Sequence, residues 1–120
     1  MLIKVIAVGK LKDRAIQSRC EEFLKWLRPY AKMEFIELPD STPEREGQAI
    51  CKTLEKERGF VIILSEEGRQ FTSEEFAKKI GELDTKIIFV IGGTFGLSAE
   101  AKSRADLIWS LSKLTFTHEL

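Results

Sequence analysis

The sequence predicts an α/β fold with an open, mostly parallel β-sheet and helices on both of its faces. Three observations lead to this class. Short apolar runs alternate with amphipathic segments along the 120 residues. The run at residues 60–64 is apolar at every position, as expected of a strand buried on both faces. The amphipathic segments begin at recognisable helix caps. The length and the lack of a linker predict one domain over residues 1–120.

The chain opens with a strand and an amphipathic helix. Residues 2–8 read LIKVIAV, a β-rich apolar run that ends at Gly9. Asp13 is suited to cap the following helix, which Pro29 terminates. The apolar positions of this helix recur at steps of three and four residues and are Ile16, Cys20, Phe23, Leu24 and Leu27.

A second strand and helix follow. Residues 33–38 form the strand, and its two glutamates favour an edge position, where some side chains meet water. Thr42 followed by Pro43 predicts a helix start, because proline at the first helical position loses no needed hydrogen bond. We expect this helix to reach about Arg58 and to end at Gly59.

The second half of the chain continues the alternation. After the apolar strand at residues 60–64, residues 65–70 read SEEGRQ and predict a polar loop. Thr72 and Glu75 have the spacing of a capping box. The helix that they open is expected to bury Phe76, Ile80 and Leu83.

The last predicted elements surround a glycine-rich turn. Residues 86–91 form a strand that ends at Gly92 and Gly93. Ser98 caps a short helix that runs to about Arg104, and residues 107–111 resemble a fifth strand.

Composition limits the classes of function. The 19 basic and 19 acidic residues cancel and the pI is near 6.6, which argues against a nonspecific grip on nucleic acid. The longest apolar run is far shorter than the roughly 20 residues of a membrane span, and no secretory leader is recognisable. Cys20 and Cys51 fall inside predicted helices, so we expect reduced, buried thiols in a cytoplasmic protein; a disulfide between the two helices stays open.

Ligands of parallel α/β sheets bind beyond the carboxyl ends of the strands, which directs attention to two loops. The first, IGGTFGLS at residues 91–98, contains three glycines that either let the backbone approach a ligand or only supply a tight turn. It lacks the Walker A lysine and the Rossmann glycine spacing. The second, at residues 111–117, mixes hydroxyl groups with a lysine; its plain interpretation is a strand leading into a helix capped by Thr117.

Other candidate chemistry is sparse. His118 is the one side chain whose ordinary pKa lies near neutrality, although a single histidine is more often structural than catalytic. No nucleophile stands in a recognisable triad context, and one histidine with two separated cysteines makes no metal site. Glu66 and Glu67 are interpreted as solvated carboxylates.

Three segments together resemble a known family. They are IKVIAVGKLKD at residues 3–13, the loop IGGTFGLS, and WSLSKLTFTHEL at residues 109–120. The chain is similar along its whole length to the ribosomal large-subunit methyltransferase H family of the SPOUT superfamily. The last segment is the most specific of the three.

The resemblance implies a fold and a reaction. The C-terminal part of an α/β domain would be threaded through a loop as a trefoil knot, and two copies would form a homodimer. The reaction would transfer the methyl group of S-adenosylmethionine, without a metal, to N3 of a pseudouridine in 23S rRNA. The target lies in a stem-loop at the subunit interface of the assembled 70S ribosome.

The resemblance also implies the site. His118 would be the candidate base for the target imide. The donor pocket would be formed by Leu64, Gly92, Gly93, Leu111, Ser112, Lys113, Leu114, Thr115 and Phe116.

The sequence departs from the family pattern in two places. Thr117 stands where the family commonly has proline, and the family chain continues past the position of Leu120 for another helix that threads the knot and contacts the dimer partner. Two explanations stay open: a truncated chain, or a version of the family without the tail; in either case the knot and the dimer would lack that helix. Two alternatives stay open: a binding module that keeps the S-adenosylmethionine pocket without catalysis, and a flavodoxin-like domain that binds another nucleotide.

Overall fold

The computed structural model describes residues 1–117 and 119. Five strands and four helices alternate along these residues. They are β1 (Leu2–Val8), α1 (Arg14–Leu27), β2 (Lys32–Leu38), α2 (Pro43–Glu55), β3 (Phe60–Arg69), α3 (Ser73–Gly81), β4 (Ile87–Ile91), α4 (Ala99–Lys102) and β5 (Leu107–Trp109).

The strands form one sheet in the order β2-β1-β4-β3-β5, and every neighbouring pair is parallel. The predicted fold class is therefore confirmed, and β2 lies at an edge, as its glutamates indicated. A flavodoxin-like sheet has the order 2-1-3-4-5. Here β4 lies between β1 and β3, so the flavodoxin-like alternative is wrong.

The strands alternate their side chains between two apolar layers. On one face, the side chains of Ile6, Val8, Ile63 and Val90 pack with Ile50 of α2 and Ala101 of α4. On the other face, the buried Ile62, Ile87 and Leu107 meet the half-buried residues Phe60, Phe71, Phe76, Ile80, Leu83, Phe89 and Trp109. The α3 residues expected to be buried are thus packed against the sheet, although none of them is fully buried.

The starts of α1, α2 and α3 follow from capping. Asp13 accepts hydrogen bonds from the N–H groups of Ala15 and Ile16, and Thr42 accepts one from Arg45. Thr72 and Glu75 form the predicted capping box. Each of these bonds satisfies a backbone donor that the first helical turn leaves without a partner.

Helix α1 differs from the expectation of a buried apolar face. No residue of α1 is buried, and Phe23, Trp26 and Leu27 are 45%, 56% and 40% exposed. Beside the helix, Phe35 of β2 is also 56% exposed. The prediction that Cys20 is buried is wrong for the same reason, because Cys20 lies on this exposed helix. Cys51 of α2 is buried, and both thiols are free.

Strand β3 is longer than predicted. Residues 65–69, expected to form a loop, continue the strand to Arg69, but the pairing with β5 shifts so that Leu64 and Arg69 both lie opposite Trp109. A Cβ on Gly68 would lie 2.4 Å from the carbonyl oxygen of Ile108. The glycine therefore lets the two backbones approach closely, which composition alone did not reveal.

Two other elements are shorter than predicted. Helix α2 ends at Glu55 rather than near Arg58, and β5 ends at Trp109 rather than at residue 111. In the part of the chain that the structure describes, no helix combines the length and apolar character needed to cross a membrane.

Candidate functional site

The carboxyl ends of the five parallel strands lie at one edge of the sheet, here called the carboxyl edge. The loops that follow β1, β4 and β5 all leave from this edge. Both of the loops selected from the sequence therefore lie at the carboxyl edge.

The loop after β4 begins with a tight turn. The N–H of Gly96 donates a hydrogen bond to the carbonyl oxygen of Gly93 over 3.1 Å, and Gly96 has a φ of +83°. This left-handed conformation strongly favours glycine. The turn leaves Phe95 82% exposed at its tip. The loop therefore contains the tight turn that was one of the two interpretations of its glycines.

Gly92 and Gly93 are restricted by the protein's own side chains. A Cβ on Gly92 would lie 2.7 Å from Cγ of Leu97, and a Cβ on Gly93 would lie 3.0 Å from Oε1 of Glu46 and 3.1 Å from Cγ1 of Val8. All three distances are shorter than ordinary van der Waals contacts of a Cβ atom. Close packing within the chain is therefore a sufficient reason for the glycine pair.

Helix α2 packs against the far end of the same loop. A Cβ on Gly47 would lie 2.0 Å from Oγ of Ser98, the residue that caps α4. Ser98 Oγ accepts the N–H of Ala101, so the first turn of this four-residue helix is already satisfied. The dipeptide Glu46–Gly47 thus contacts both ends of the loop at residues 93–98.

Sequence reasoning missed Glu46, which is only 5% exposed. Its Oε2 accepts the N–H of Ser41 over 2.7 Å, and its carboxylate lies against Gly93. A signal was available: Glu46 precedes Ile50 and Leu54 by four and eight residues, which places it on the apolar stripe of α2.

The segment after β5 begins in a buried position and then becomes exposed. Ser110 is 1% exposed, and its hydroxyl donates to the carbonyl oxygen of Ser112 over 2.9 Å. Ser112 Oγ accepts the N–H of Leu114 over 3.0 Å, forming a local turn. Within the predicted donor segment, Lys113 and Thr115 are exposed, as are Leu111, Leu114 and Phe116 at 66%, 71% and 52%.

This segment crosses the carboxyl edge. The hydroxyl of Thr115 donates to Oε2 of Glu66 on β3 over 3.2 Å. Further along the segment, Glu119 reaches the loop after β1. Its carboxylate accepts a hydrogen bond from the backbone N–H of Lys12 in that loop. A path from β5 past β3 to β1 must pass the ends of β3 and β4, because β4 lies between β3 and β1.

The structure describes three of the remaining residues that were selected from the sequence. Leu64 is half-buried and lies opposite Trp109, one residue before Ser110. His118 is outside the described residues. Glu66 and Glu67 are exposed, and Glu67 pairs with Lys102 over 2.6 Å. The hydrogen bond from that lysine lowers the pKa of Glu67.

The thiols and carboxylates of the described residues form no metal-binding group of three or more ligands. Burial raises the pKa of the Cys51 thiol, which favours its protonated form. Cys51 therefore packs as a small apolar side chain between α2 and α4.

Two open clefts of about 460 and 440 Å³ are lined by residues outside the predicted donor loops. The first is lined by Leu24, Arg28, Ala31, Lys32, Met33 and Phe35. The second is lined by Gly9, Lys10, Lys12, Glu37, Leu38, Pro39 and Asp40. The second shares the carboxyl edge with the donor loops. Because the loops after β4 and β5 are exposed rather than closed over a cavity, geometry alone does not identify a ligand.

Comparison with known proteins shows the family to which the chain is similar. A family model described as "Predicted SPOUT methyltransferase" matches residues 1–120. The chain is 40% identical over 136 aligned residues to a protein of Streptococcus suis (strain 05ZYH33) named "Ribosomal RNA large subunit methyltransferase H". It is 41% identical over 136 residues to a protein of the same name from Streptococcus pneumoniae (strain CGSP14). Both alignments cover 100% of this chain and 86% of the relative.

Proposed function

The chain belongs to the SPOUT methyltransferase family, and we propose that it transfers a methyl group from S-adenosylmethionine to N3 of a pseudouridine in 23S rRNA. The observation that carries the proposal is the likeness, over the whole of this chain, to two proteins named as ribosomal RNA large subunit methyltransferases. The crossing of the carboxyl edge by residues 110–117 supports the same site, because it brings the two predicted donor loops to one region.

The residues at this edge suit the proposed donor. Backbone N–H and C=O groups at the end of β4 and in residues 111–116 are of the kind that reads an adenine edge. Leu64 and the exposed Leu111, Leu114 and Phe116 offer apolar surface for the faces of the ring. We also propose that the C-terminal segment is threaded as in other members of the family.

The proposed chemistry depends mainly on orientation. When bound, S-adenosylmethionine supplies an electrophilic methyl carbon, and the acceptor nitrogen attacks it in line with the departing sulfur. The chain must hold the donor loop rigid, and the turn closed between Gly93 and Gly96 serves that purpose. The target imide must also lose a proton, for which we propose His118 as the acceptor.

The acceptor would approach over an apolar rim. Phe95 is 82% exposed on the loop after β4, and Phe116 is 52% exposed on the segment after β5. The formal net charge is zero, so any contacts to RNA phosphates must come from a local basic patch and not from bulk charge. Stacking of an unpaired base on an aromatic side chain is a sequence-tolerant source of RNA affinity, which suits a stem-loop within an assembled ribosome in the cytoplasm.

We also propose a homodimer, supported by the exposed apolar surface of α1 and β2. Phe23, Trp26, Leu27 and Phe35 are each at least 40% exposed on this surface. A contiguous apolar surface of this kind on a folded protein is typical of an interface. It lies away from the donor loops, so the interface would leave the site open.

Methyl transfer tests the proposal directly. The protein is incubated with labelled S-adenosylmethionine and 70S ribosomes from cells that lack the native methyltransferase, and label is sought at the pseudouridine of the 23S rRNA. Donor binding is measured in parallel by calorimetry. Donor binding without methyl transfer would favour a non-catalytic binding module. The absence of donor binding would overturn both the methyltransferase and the binding module.

A further inference from the structure

A nearly buried carboxylate lies directly beneath the predicted donor loop. Glu46 is 5% exposed, whereas glutamate is rarely buried in proteins unless it is paired. A Cβ on Gly93 would lie 3.0 Å from its Oε1 and 3.3 Å from its Oε2. The carboxylate therefore contacts the backbone at the second residue of the loop, where the carboxyl edge is centred on β4.

The protein supplies little that compensates this charge. Oε2 accepts the N–H of Ser41 over 2.7 Å, the one hydrogen bond to this side chain among residues 1–117 and 119. Within the same residues, no lysine or arginine nitrogen lies within 4.0 Å of the carboxylate. The position of Glu46 near the start of α2 offsets part of the desolvation cost through the helix dipole. A buried carboxylate without a cation nevertheless remains expensive.

The proposed donor carries the missing charge. The sulfur of S-adenosylmethionine is a sulfonium with one positive charge. During transfer the bond from sulfur to the methyl carbon breaks, its electron pair stays on sulfur, and the new bond forms to the acceptor nitrogen, which loses its proton to a base. The product, S-adenosylhomocysteine, is a neutral thioether at sulfur. A carboxylate near the sulfur atom would therefore attract S-adenosylmethionine more strongly than S-adenosylhomocysteine.

We propose that Glu46 selects the charged donor over its demethylated product, holding S-adenosylmethionine in the site and weakening retention of S-adenosylhomocysteine. The inference rests on the proposed function of the site. Oε1 has no hydrogen-bond partner among the described residues and lies on the side of Gly93, so it is the oxygen suited to face the ligand. Glu46 acts through its charge and is not assigned a proton transfer.

Calorimetry with three ligands tests the inference. S-adenosylmethionine and sinefungin, which has a protonated amine in place of the sulfonium, are compared with S-adenosylhomocysteine. In the wild-type protein, we expect both charged ligands to bind about tenfold more tightly than the product, the size of a partly screened charge pair. Equal affinities for all three would overturn the inference and leave the proposed function standing. Binding of none of them would remove both.

The variant Glu46→Gln removes the charge and keeps an oxygen that can accept the Ser41 N–H. We expect it to lose the preference for the charged ligands while its affinity for S-adenosylhomocysteine changes less than about twofold. Asp106→Asn is the matched control, because Asp106 Oδ2 also accepts one backbone N–H, that of Val61 over 2.8 Å, at the opposite edge of the sheet. A loss of affinity for all three ligands alike would identify Glu46 as structural and contradict the inference. Urea unfolding of both variants verifies that each is folded.

Discussion

The ring of Phe76 lies parallel to the indole of Trp109, with ring centroids 3.8 Å apart and an interplanar angle of 12°. This stack joins α3 to β5, and Phe89 contacts both rings at tilted angles. Because Trp109 directly precedes Ser110, the stack also fixes the point at which the predicted donor segment leaves the sheet.

Truncating the stack should destabilise the fold. We expect Phe76→Ala to lower the free energy of unfolding by about 2 kcal/mol, less than for a fully buried phenylalanine, because Phe76 is only half-buried. Urea unfolding followed by tryptophan fluorescence measures the change. Tyr30→Ala, at a residue 77% exposed after α1, is the control and should shift the unfolding free energy by under about 0.5 kcal/mol. Equal effects of the two substitutions would contradict the role of the stack.

A carboxylate shared by two lysines makes stability depend on pH. Glu57 accepts hydrogen bonds from Lys4 and Lys86, and these bonds lower its pKa from the ordinary 4.5. Since the folded pKa lies below the unfolded one, the stabilisation is present above the unfolded pKa and is lost as the pH falls through the folded pKa.

We therefore expect Glu57→Gln to be less stable than wild type at pH 7 and to lose less stability than wild type upon acidification below about pH 4.5. Urea unfolding at a series of pH values measures both effects. Glu34→Gln is the matched control, because Glu34 lies 4.0 Å from Lys4 and is 40% exposed in its side chain. If the free energies of unfolding of wild type and Glu57→Gln differed by the same amount at every pH, Glu57 would not be the source of the pH dependence.

Adding a side chain at Gly93 should disturb the donor loop. The β-carbon of Gly93→Val would lie 3.0 Å from Glu46 Oε1 and 3.1 Å from Val8 Cγ1, so both residues or the loop must move. We expect donor binding to be lost in calorimetry. Gly81→Ala at the end of α3 meets no atom within 4 Å and should leave binding unchanged. Unchanged donor affinity in Gly93→Val would place the pocket elsewhere.

A charge on the exposed face of α1 should dissociate the proposed dimer. Trp26 is 56% exposed and contacts Phe23 edge-on, with ring centroids 5.2 Å apart. Trp26→Glu places an unpaired carboxylate in the proposed interface, where burial is unfavourable. We expect sedimentation equilibrium to give the mass of a dimer for wild type and of a monomer for the variant. A wild-type monomer would refute the assignment of this surface.

Rate measurements can distinguish the proposed role of His118 as a base from a role in donor binding. We expect His118→Ala to lower the rate of methyl transfer to ribosomes by at least about a hundredfold, the usual size of a general-base contribution. Donor affinity, measured by calorimetry on the same preparation, should change little. A variant with an unchanged rate would assign the histidine a structural role.

The sequence predicted the alternation of elements well, because caps such as Asp13, Thr42 and Thr72 and the apolar runs are local signals. It predicted no strand order beyond the edge position of β2, since the insertion of β4 between β1 and β3 depends on contacts between distant residues. The extension of β3 to Arg69 was missed because Gly68 acts through its contact with β5. In the candidate site, the glycine pair was selected because it follows an apolar strand, whereas Glu46 was missed although it lies on the apolar stripe of α2.

The central position of β4 has a consequence for the order in which the molecule assembles. Its neighbours β1 and β3 are complete by residue 69, yet they share no hydrogen bonds and cannot form one sheet until residues 87–91 enter between them. Sheets closed by such sequence-distant pairings form slowly, because the entropy of loop closure is lost before the pairing compensates for it. The loop at residues 92–96 follows that closing strand directly, so its geometry is acquired only when the sheet becomes continuous.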